Sequence, residues 1–334
     1  MPRDLAIDLG TANTLVYARG QGVVLNEPSV VALNTNTNQL LAVGHKARRM
    51  LGRTPGYIVA RRPLRKGAIT DFEITQDMIR ILLRQVGVSR INRARIVVCV
   101  PSAITPVERR AVMEAARRAG AIEVRLIDQP LAAAIGAGLP IDEPVGSMVV
   151  DIGGGTTETA LLSLGGVVAL EAVRVGSFDI DDTIQAHMRR EYGMAIGEPT
   201  AEHTKIVVGS AAATRNETAA EIRGRELMSG MPKTTVVTPE EIRKAIEEPV
   251  SAMVDSVLSC LSQSPPELAQ DLIARGVHLV GGGGLLRGMD IRLSREMSLR
   301  VRRVNAPLET VVRGAGRCLE HLGMDISIFS DDFD

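Results

Sequence analysis

Apolar positions change period several times along this chain, and each change marks an element. Leu5-Ala-Ile-Asp-Leu9 is a short apolar run that predicts a strand, and Leu15-Val-Tyr17 resumes β character after a glycine turn. A third strand is expected over residues 30–33, followed by the polar turn cluster of residues 34–38. Ile74, Met78, Ile81, Leu82 and Val86 then recur at helical spacing. Thr70-Asp-Phe-Glu73 stands before them as a candidate capping box. Arg95 to Val100 predicts an uninterrupted strand, whose apolar stretch over residues 96–100 reads as buried and contains Cys99. Thr105-Pro-Val-Glu108 predicts a helix start, with Thr as cap, Pro in the first turn and Glu reaching back; Gly120 should stop that helix. A short strand over 124–127 leads into a small-residue helix over 131–137.

The second half begins again in the same way. Residues 148–152 predict a strand ending in glycines, and a hairpin follows over 159–164 and 167–173, joined by Gly165-Gly166. Thr238-Pro-Glu-Glu241 repeats the Thr-Pro-x-Glu helix start, and that helix should run toward Pro249. His278-Leu-Val280 is a strand that ends in four consecutive glycines. Strands alternate with helices in both halves, which argues an α/β fold.

The repeat carries chemistry. Asp8-Leu-Gly-Thr11 and Asp151-Ile-Gly-Gly-Gly-Thr-Thr157 each follow an apolar strand and precede another. Glycines let backbone N–H groups approach phosphate oxygens, and successive amides make an anion-binding nest. A bare carboxylate would repel phosphate, but it becomes favourable when it holds a hydrated Mg²⁺. Two such loops facing one another could clamp one nucleotide tail between two domains. No Gly-x-x-x-x-Gly-Lys-Ser/Thr loop is present, and no Gly-x-Gly-x-x-Gly opens a helix after the first strand. The glycines after Val280 offer no side chains, so their expected use is close approach of backbone to a flat or bulky ligand.

Composition narrows the classes. At 334 residues, about two domains are expected. Seven aromatics and a formal charge of zero argue against single-stranded nucleic acid, which needs stacking platforms and a positive groove. The longest uncharged apolar-leaning stretch, residues 129–141, is too short to span a membrane, and the acidic start does not read as a leader. Three cysteines without CxxC spacing point to a reducing cytosol and away from metal or disulfide use. The zero charge hides an asymmetry. Residues 1–100 carry 15 basic against 6 acidic side chains, +9, and the remainder is −9. That excess fits a solvated basic face, attraction to an anionic membrane, or head-to-tail attraction between neighbouring subunits.

Together Asp8 to Thr14 (DLGTANT), Asp151 to Thr157 (DIGGGTT) and Gly281 to Gly288 (GGGGLLRG) resemble the actin-like ATPase superfamily. More closely, the chain is similar to the MreB family of bacterial actins that organise cell shape. Asn26-Glu-Pro-Ser29, Pro130-Leu-Ala-Ala-Ala-Ile-Gly136, Ser163-Leu-Gly-Gly166, Gly197-Glu-Pro-Thr-Ala-Glu202, Ile222-Arg-Gly-Arg225 and Glu247-Glu-Pro-Val250 match that family's pattern, from about residue 3 to 320. The resemblance implies two related large domains around a nucleotide cleft, each with a smaller inserted subdomain. Residues 1–32 and 62–138 would form domain IA, with a C-terminal helix near 315–330 returning to it, and 33–61 would be subdomain IB. Residues 139–175 and 245–314 would form domain IIA, and 176–244 subdomain IIB.

It also implies roles. Asp8 and Asp151 would hold Mg²⁺ through water. Thr11, Ala12 and Asn13 from one loop, and Gly153, Gly154, Gly155 and Thr156 from the other, would meet the phosphates of ATP or ADP. Glu202, Lys205, Gly282, Gly283, Gly284 and Leu285 would meet ribose and base. At i, i+3 on one helix face, Glu202 and Lys205 would by themselves read as a surface ion pair. The expected activity is slow, assembly-coupled ATP hydrolysis by a polymer at the cytoplasmic face of the cell membrane, with wall-synthesis or morphogenesis membrane proteins as partners. The alternatives are a nucleotide-dependent structural polymer with little hydrolysis, and a small-molecule kinase of the same superfamily.

Three departures from the family stand out. The acidic pair expected before the Pro-x-Ala-Ala-Ala helix is Asp128-Gln129 here, so with Asp151 the catalytic set would contain a glutamine that orients water and takes no proton. The membrane loop offers only Val88 and Ile91 for insertion, with Arg84, Arg90, Arg93 and Arg95 around them, so a weak, charge-dependent anchor is expected. Val280 and Gly284 stand where the family tends to have threonine and alanine, with at most a modest effect on nucleotide affinity. Gln129 and the sparse loop together suggest a divergent paralogue.

Overall fold

The computed structural model describes residues 3–89 and 92–319. Two five-stranded mixed sheets are built to one plan. In the first, strand Arg3–Leu9 runs parallel to Ala94–Val100, which runs parallel to Ala121–Asp128. On its other side Arg3–Leu9 turns back into the antiparallel pair Asn13–Ala18 and Gly22–Pro28. In the second sheet Ser147–Ile152 takes the part of Arg3–Leu9. It is parallel to Val277–Val280 and then Val301–Arg303, and antiparallel to Thr157–Ser163 and then Gly166–Val173. Every residue of Ser147–Ile152 is buried, as a strand covered on both faces requires.

Layers cover these sheets. Helices Phe72–Gln85 and Pro106–Ala119 pack on the outer face of the first, and Glu247–Ser262 on that of the second. Between the sheets lie two helices, Gln129–Ala137 and Thr310–Cys318, packed on one another. One apolar cluster joins all four elements, from Ala6, Val97 and Ile127 through Ala133 and Ala315 to Val149 and Leu162. The two helices approach so closely that a Cβ at Gly136 would collide with the Thr310 carbonyl, and one at Gly314 with the Ala132 carbonyl.

Each half carries an insertion. Val31–Asn34, Gln39–Val43 and Ile58–Arg61 form a small sheet on the first. Helices Ser177–Tyr192 and Glu198–Val207 with strands Met194–Ala195, Ala220–Glu226 and Pro232–Val237 form the second.

Local signals mostly hold. Thr105 and Thr238 complete capping boxes with Glu108 and Glu241. The Thr70 box is corrected: Asp71 caps the helix by accepting from Ile74 N, while Thr70 donates its hydroxyl to the Pro63 carbonyl. Pro249 ends nothing; the helix Pro239–Ala245 stops earlier, and Pro249 sits in the first turn of Glu247–Ser262, where its missing N–H costs no bond. The last described helix begins at Thr310, earlier than expected, and residues beyond 319 lie outside the described residues.

Candidate functional site

Both central strands end in the same hairpin. Asp8 and Asp151 are each the penultimate residue of their strand. Two residues on, Gly10 N donates to Asn13 O at 3.1 Å, and Gly153 N donates to Thr156 O at 2.8 Å. The two loops face one another: a Cβ on Gly154 would stand 2.8 Å from the Ala12 Cβ. Each lies at the carboxyl ends of parallel strands, where open α/β sheets place ligands.

A cleft of about 700 Å³ opens between them. Asp8, Thr11, Ala12 and Asn13 line one wall, and Asp151, Gly153, Gly154 and Thr156 the other. Gln129, itself buried, lines the cleft as well. Glu202, Lys205, Gly282, Gly283 and Leu285 line the same cleft farther along, with Ile206 and Leu308 adding apolar surface. Thus most of the residues implied by the resemblance share one cavity.

Its electrostatics call for a cation. Asp8 and Asp151 are 9% and 8% exposed, and among the described residues neither pairs with a basic side chain. Burial pushes the Asp8 carboxyl up to about 6 against the lowering hydrogen bond from Gln129. Asp151 rises to about 8, through burial first and then the charges of Asp8 and Glu158. Two desolvated carboxylates without a counter-charge are costly to ionise together. No group of three or more His, Cys, Asp and Glu among the described residues forms a metal cage. Two carboxylates suit Mg²⁺, which keeps most of its waters. The donor set therefore fits that ion.

Gln129 opens helix Gln129–Ala137 and donates Nε2 to Asp8 Oδ1 at 3.0 Å. An ionised carboxylate only accepts, so the amide nitrogen faces Asp8 and the amide oxygen is left to accept elsewhere. Asp128 does not join it: Asp128 is held by Arg109 at 2.7 Å and does not line the cleft.

Other placements also differ. Gly155 is absent from the lining because it packs against the Lys66 backbone, 2.8 Å from where its Cβ would be. Gly284 is turned onto Leu279. Gly281 and Gly283 do line the cleft, yet a side chain on either would strike Asp151 or Ile152. Close packing within the protein therefore demands glycine here as much as a ligand would. Glu202 and Lys205 do not pair with one another. Lys205 Nζ binds Ser177 Oγ at 2.6 Å and Asp181 at 2.9 Å, while Glu202 binds Arg48 at 2.6 Å from the opposite domain. Val88 is 3% exposed and packs into the first domain's core beside Gly120, so it is not an insertion residue. Ile91 and Arg90 lie outside the described residues. Arg95 is held bidentately by Asp4 at 2.7 and 2.8 Å.

Sequence reasoning missed Glu158. It lies opposite Asp151 across the strand pair, is 1% exposed, and accepts from Ser102 N of the other domain at 3.0 Å. Burial lifts its carboxyl to about 7, aided by Asp128 and Asp8. Its place in a buried Thr-x-Thr strand held the only signal. Arg48, Arg62 and Phe178, also in the lining, were hidden within a general basic excess and a helix start.

Comparisons with known proteins agree along the chain. A family model described as MreB/Mbl protein matches residues 2–326. The cell shape-determining protein MreB of Escherichia coli strain K12 is 50% identical over 327 residues, covering 96% of this chain and 94% of that one. The cell shape-determining protein Mbl of Bacillus subtilis strain 168 is 44% identical over 321 residues, covering 96% of each. The crystal structure of MreB5 of Spiroplasma citri bound to ADP superposes with a TM-score of 0.91 at 37% identity, over 96% of this chain and 97% of that one. A MamK double helical filament subunit matches at a TM-score of 0.81 and 19% identity, over 96% and 99%, which speaks for the fold alone.

Proposed function

Because the chain belongs to the MreB/Mbl family and has its actin-like fold, we propose that it binds and slowly hydrolyses ATP and assembles head to tail into filaments that help set cell shape. The observation that carries this reading is the pair of like-built hairpins that bring Asp8 and Asp151 to opposite walls of one cleft. The relative from Spiroplasma citri is described bound to ADP and, in a second structure, to AMPPNP. In this chain, backbone amides around Thr11 to Asn13 and Gly153 to Thr156 would hold the phosphates. Asp8 and Asp151 would hold Mg²⁺ through its waters, and the ion would offset phosphate charge. Gln129 would orient the attacking water through its amide oxygen while Asp8 fixes its nitrogen. Leu285, Ile206 and Leu308 offer apolar surface to a base. Glu202 and Lys205, which line the same cleft, would meet the ribose and base.

No described helix is long and apolar enough to cross a membrane. We place the filament peripherally at the inner face of the membrane, where membrane proteins of wall synthesis would meet it, and assign attachment to basic side chains. Electron microscopy with ATP, with ADP and without nucleotide, read beside phosphate release, tests the proposal. Filaments favoured by ATP with slow phosphate release are expected. Absence of polymer in every state would refute the filament, and absence of release the hydrolysis.

A further inference from the structure

Three ion pairs join the two halves beside the cleft, which Arg48, Arg62 and Glu202 line, and these three run the same way. Arg174 and Glu108, 3.5 Å apart and outside the cleft lining, pair in the opposite sense. Arg48 Nη2 meets Glu202 at 2.6 Å, and Lys66 Nζ meets Asp179 at 3.4 Å. Arg62 binds Glu198 through Nη2, with Nε also donating at 3.1 Å. In these three every cation comes from residues 48–66 of the first half, and every acid from residues 179–202 of the second. Arg62 carries an additional contact: its guanidinium carbon lies 4.1 Å from the centre of the Phe178 ring. The pairs differ in exposure. The Arg62 side chain is 11% exposed, whereas those of Arg48 and Lys66 are 41% and 59% exposed. Lys205 takes no part, because its ammonium is bound within its own half by Ser177 and Asp181.

We propose that these three pairs form a clasp that gates passage of nucleotide into and out of the cleft, with Arg62 as its salt-resistant centre and Arg48 and Lys66 as its salt-sensitive edges. The proposal rests on the nucleotide reading of the cleft only for the identity of what is gated. Neither insertion shares a sheet with the other, so these side chains hold two separately built bodies together beside the cleft. A side chain that only touches ligand slows release alone. A clasp that favours the closed arrangement with or without ligand slows uptake and release together, leaving the equilibrium nearly unchanged. Exposed pairs weaken as the Debye length falls from about 10 Å at 0.1 M salt to about 3 Å at 1 M. Arg62, 11% exposed and stacked on Phe178, is screened less even though its partner Glu198 is 34% exposed.

Stopped-flow fluorescence with the methylanthraniloyl derivatives of ATP and ADP on monomeric full-length protein tests this. Arg62→Gln should accelerate uptake and release alike, by about tenfold, the combined loss of a part-buried pair and a cation–π contact. Arg48→Gln and Lys66→Gln should each accelerate both rates by about twofold to threefold, as exposed pairs would. The exchanged pair Arg62→Glu with Glu198→Arg should recover part of the loss. Raising NaCl to about 1 M should speed the unsubstituted protein and leave Arg48→Gln with a smaller salt response. Unchanged rates in Arg62→Gln would overturn the clasp, as would faster release with unchanged uptake, which marks a ligand contact.

A second readout needs no nucleotide. Dyes on Thr37→Cys and Met228→Cys would report the separation of the two exposed insertion tips, since the native cysteines Cys99, Cys260 and Cys318 are buried. Energy transfer should fall in Arg62→Gln and with added salt. If neither nucleotide bound, a fall in transfer would uphold the clasp and refute the nucleotide reading; constant transfer would refute the clasp itself.

Discussion

At the scale of single residues, Gln129 is the test of the chemistry. Its nitrogen is anchored by Asp8, so its oxygen direction is set by the same carboxylate that would face the metal. Gln129→Ala should slow phosphate release by about tenfold or more with little change in nucleotide affinity, since water orientation matters only in the reacting complex. An unchanged single-turnover rate would remove Gln129 from the mechanism. Asp4 offers a pH test. Burial raises its carboxyl, but the hydrogen bonds and charges of Arg95 and Arg19 outweigh this and hold it below 3.8. Its contribution is therefore present above the unfolded value and lost as pH falls through the lower folded value. Asp4→Asn should cost about 1–2 kcal/mol at pH 7, measured by urea unfolding, and the gap should shrink as pH falls below the ordinary carboxylate value and through the lowered folded one. A gap that persists in acid would show that the loss is packing and not charge. The two Asp-x-Gly turns of the cleft were legible because each recurs at the same offset after its central strand. The partners of the other site residues were not. Nothing in the spacing says that Asp128 is held by Arg109, or that Glu202 looks across the cleft to Arg48 and away from Lys205.

Among elements, the two like-built sheets were the most legible part, because strand, glycine hairpin and strand recur in the same order in both halves. The helix pair between the sheets was not. The run over residues 131–137 shows only small apolar side chains, and nothing local says that residues 310–318 will lie against it. Contact forces glycine at Gly136 and Gly314. Gly314→Ala should therefore destabilise by about 3 kcal/mol or more, because the added methyl meets a backbone carbonyl that cannot rotate away. Thermal unfolding checks this, and a loss below about 1 kcal/mol would mean that the helices slide apart freely. Capping boxes set helix starts correctly at Thr105 and Thr238. At Asp71 the competing hydroxyl of Thr70 had a better partner in the Pro63 carbonyl.

For the whole molecule, the +9 of the first hundred residues has a changed meaning. Arg48, Arg62 and Lys66 engage acids of the second half, while Arg19, Arg61, Arg80 and Arg95 are paired within the first. Three of the nine excess charges therefore answer acids of the second half, while the pairs within the first half are already counted in that balance, so about six remain. Arg84 and Arg93 are exposed on either side of the loop that carries Val88. Arg84→Glu combined with Arg93→Glu should reduce sedimentation with anionic liposomes by about tenfold or more, at about 1 kcal/mol per basic group near the surface. Equal binding of the unsubstituted protein to neutral vesicles would refute the electrostatic part. The central helix pair has one more consequence, in the order of synthesis. Sheet Arg3–Leu9 with its neighbours is complete in sequence by Asp128, yet its inner face is covered by Thr310–Cys318. On a ribosome adding about 5–20 residues per second, that face waits roughly ten seconds or more for its cover. Until then the nascent first half presents Ala6, Val97 and Cys99 to water or to a chaperone.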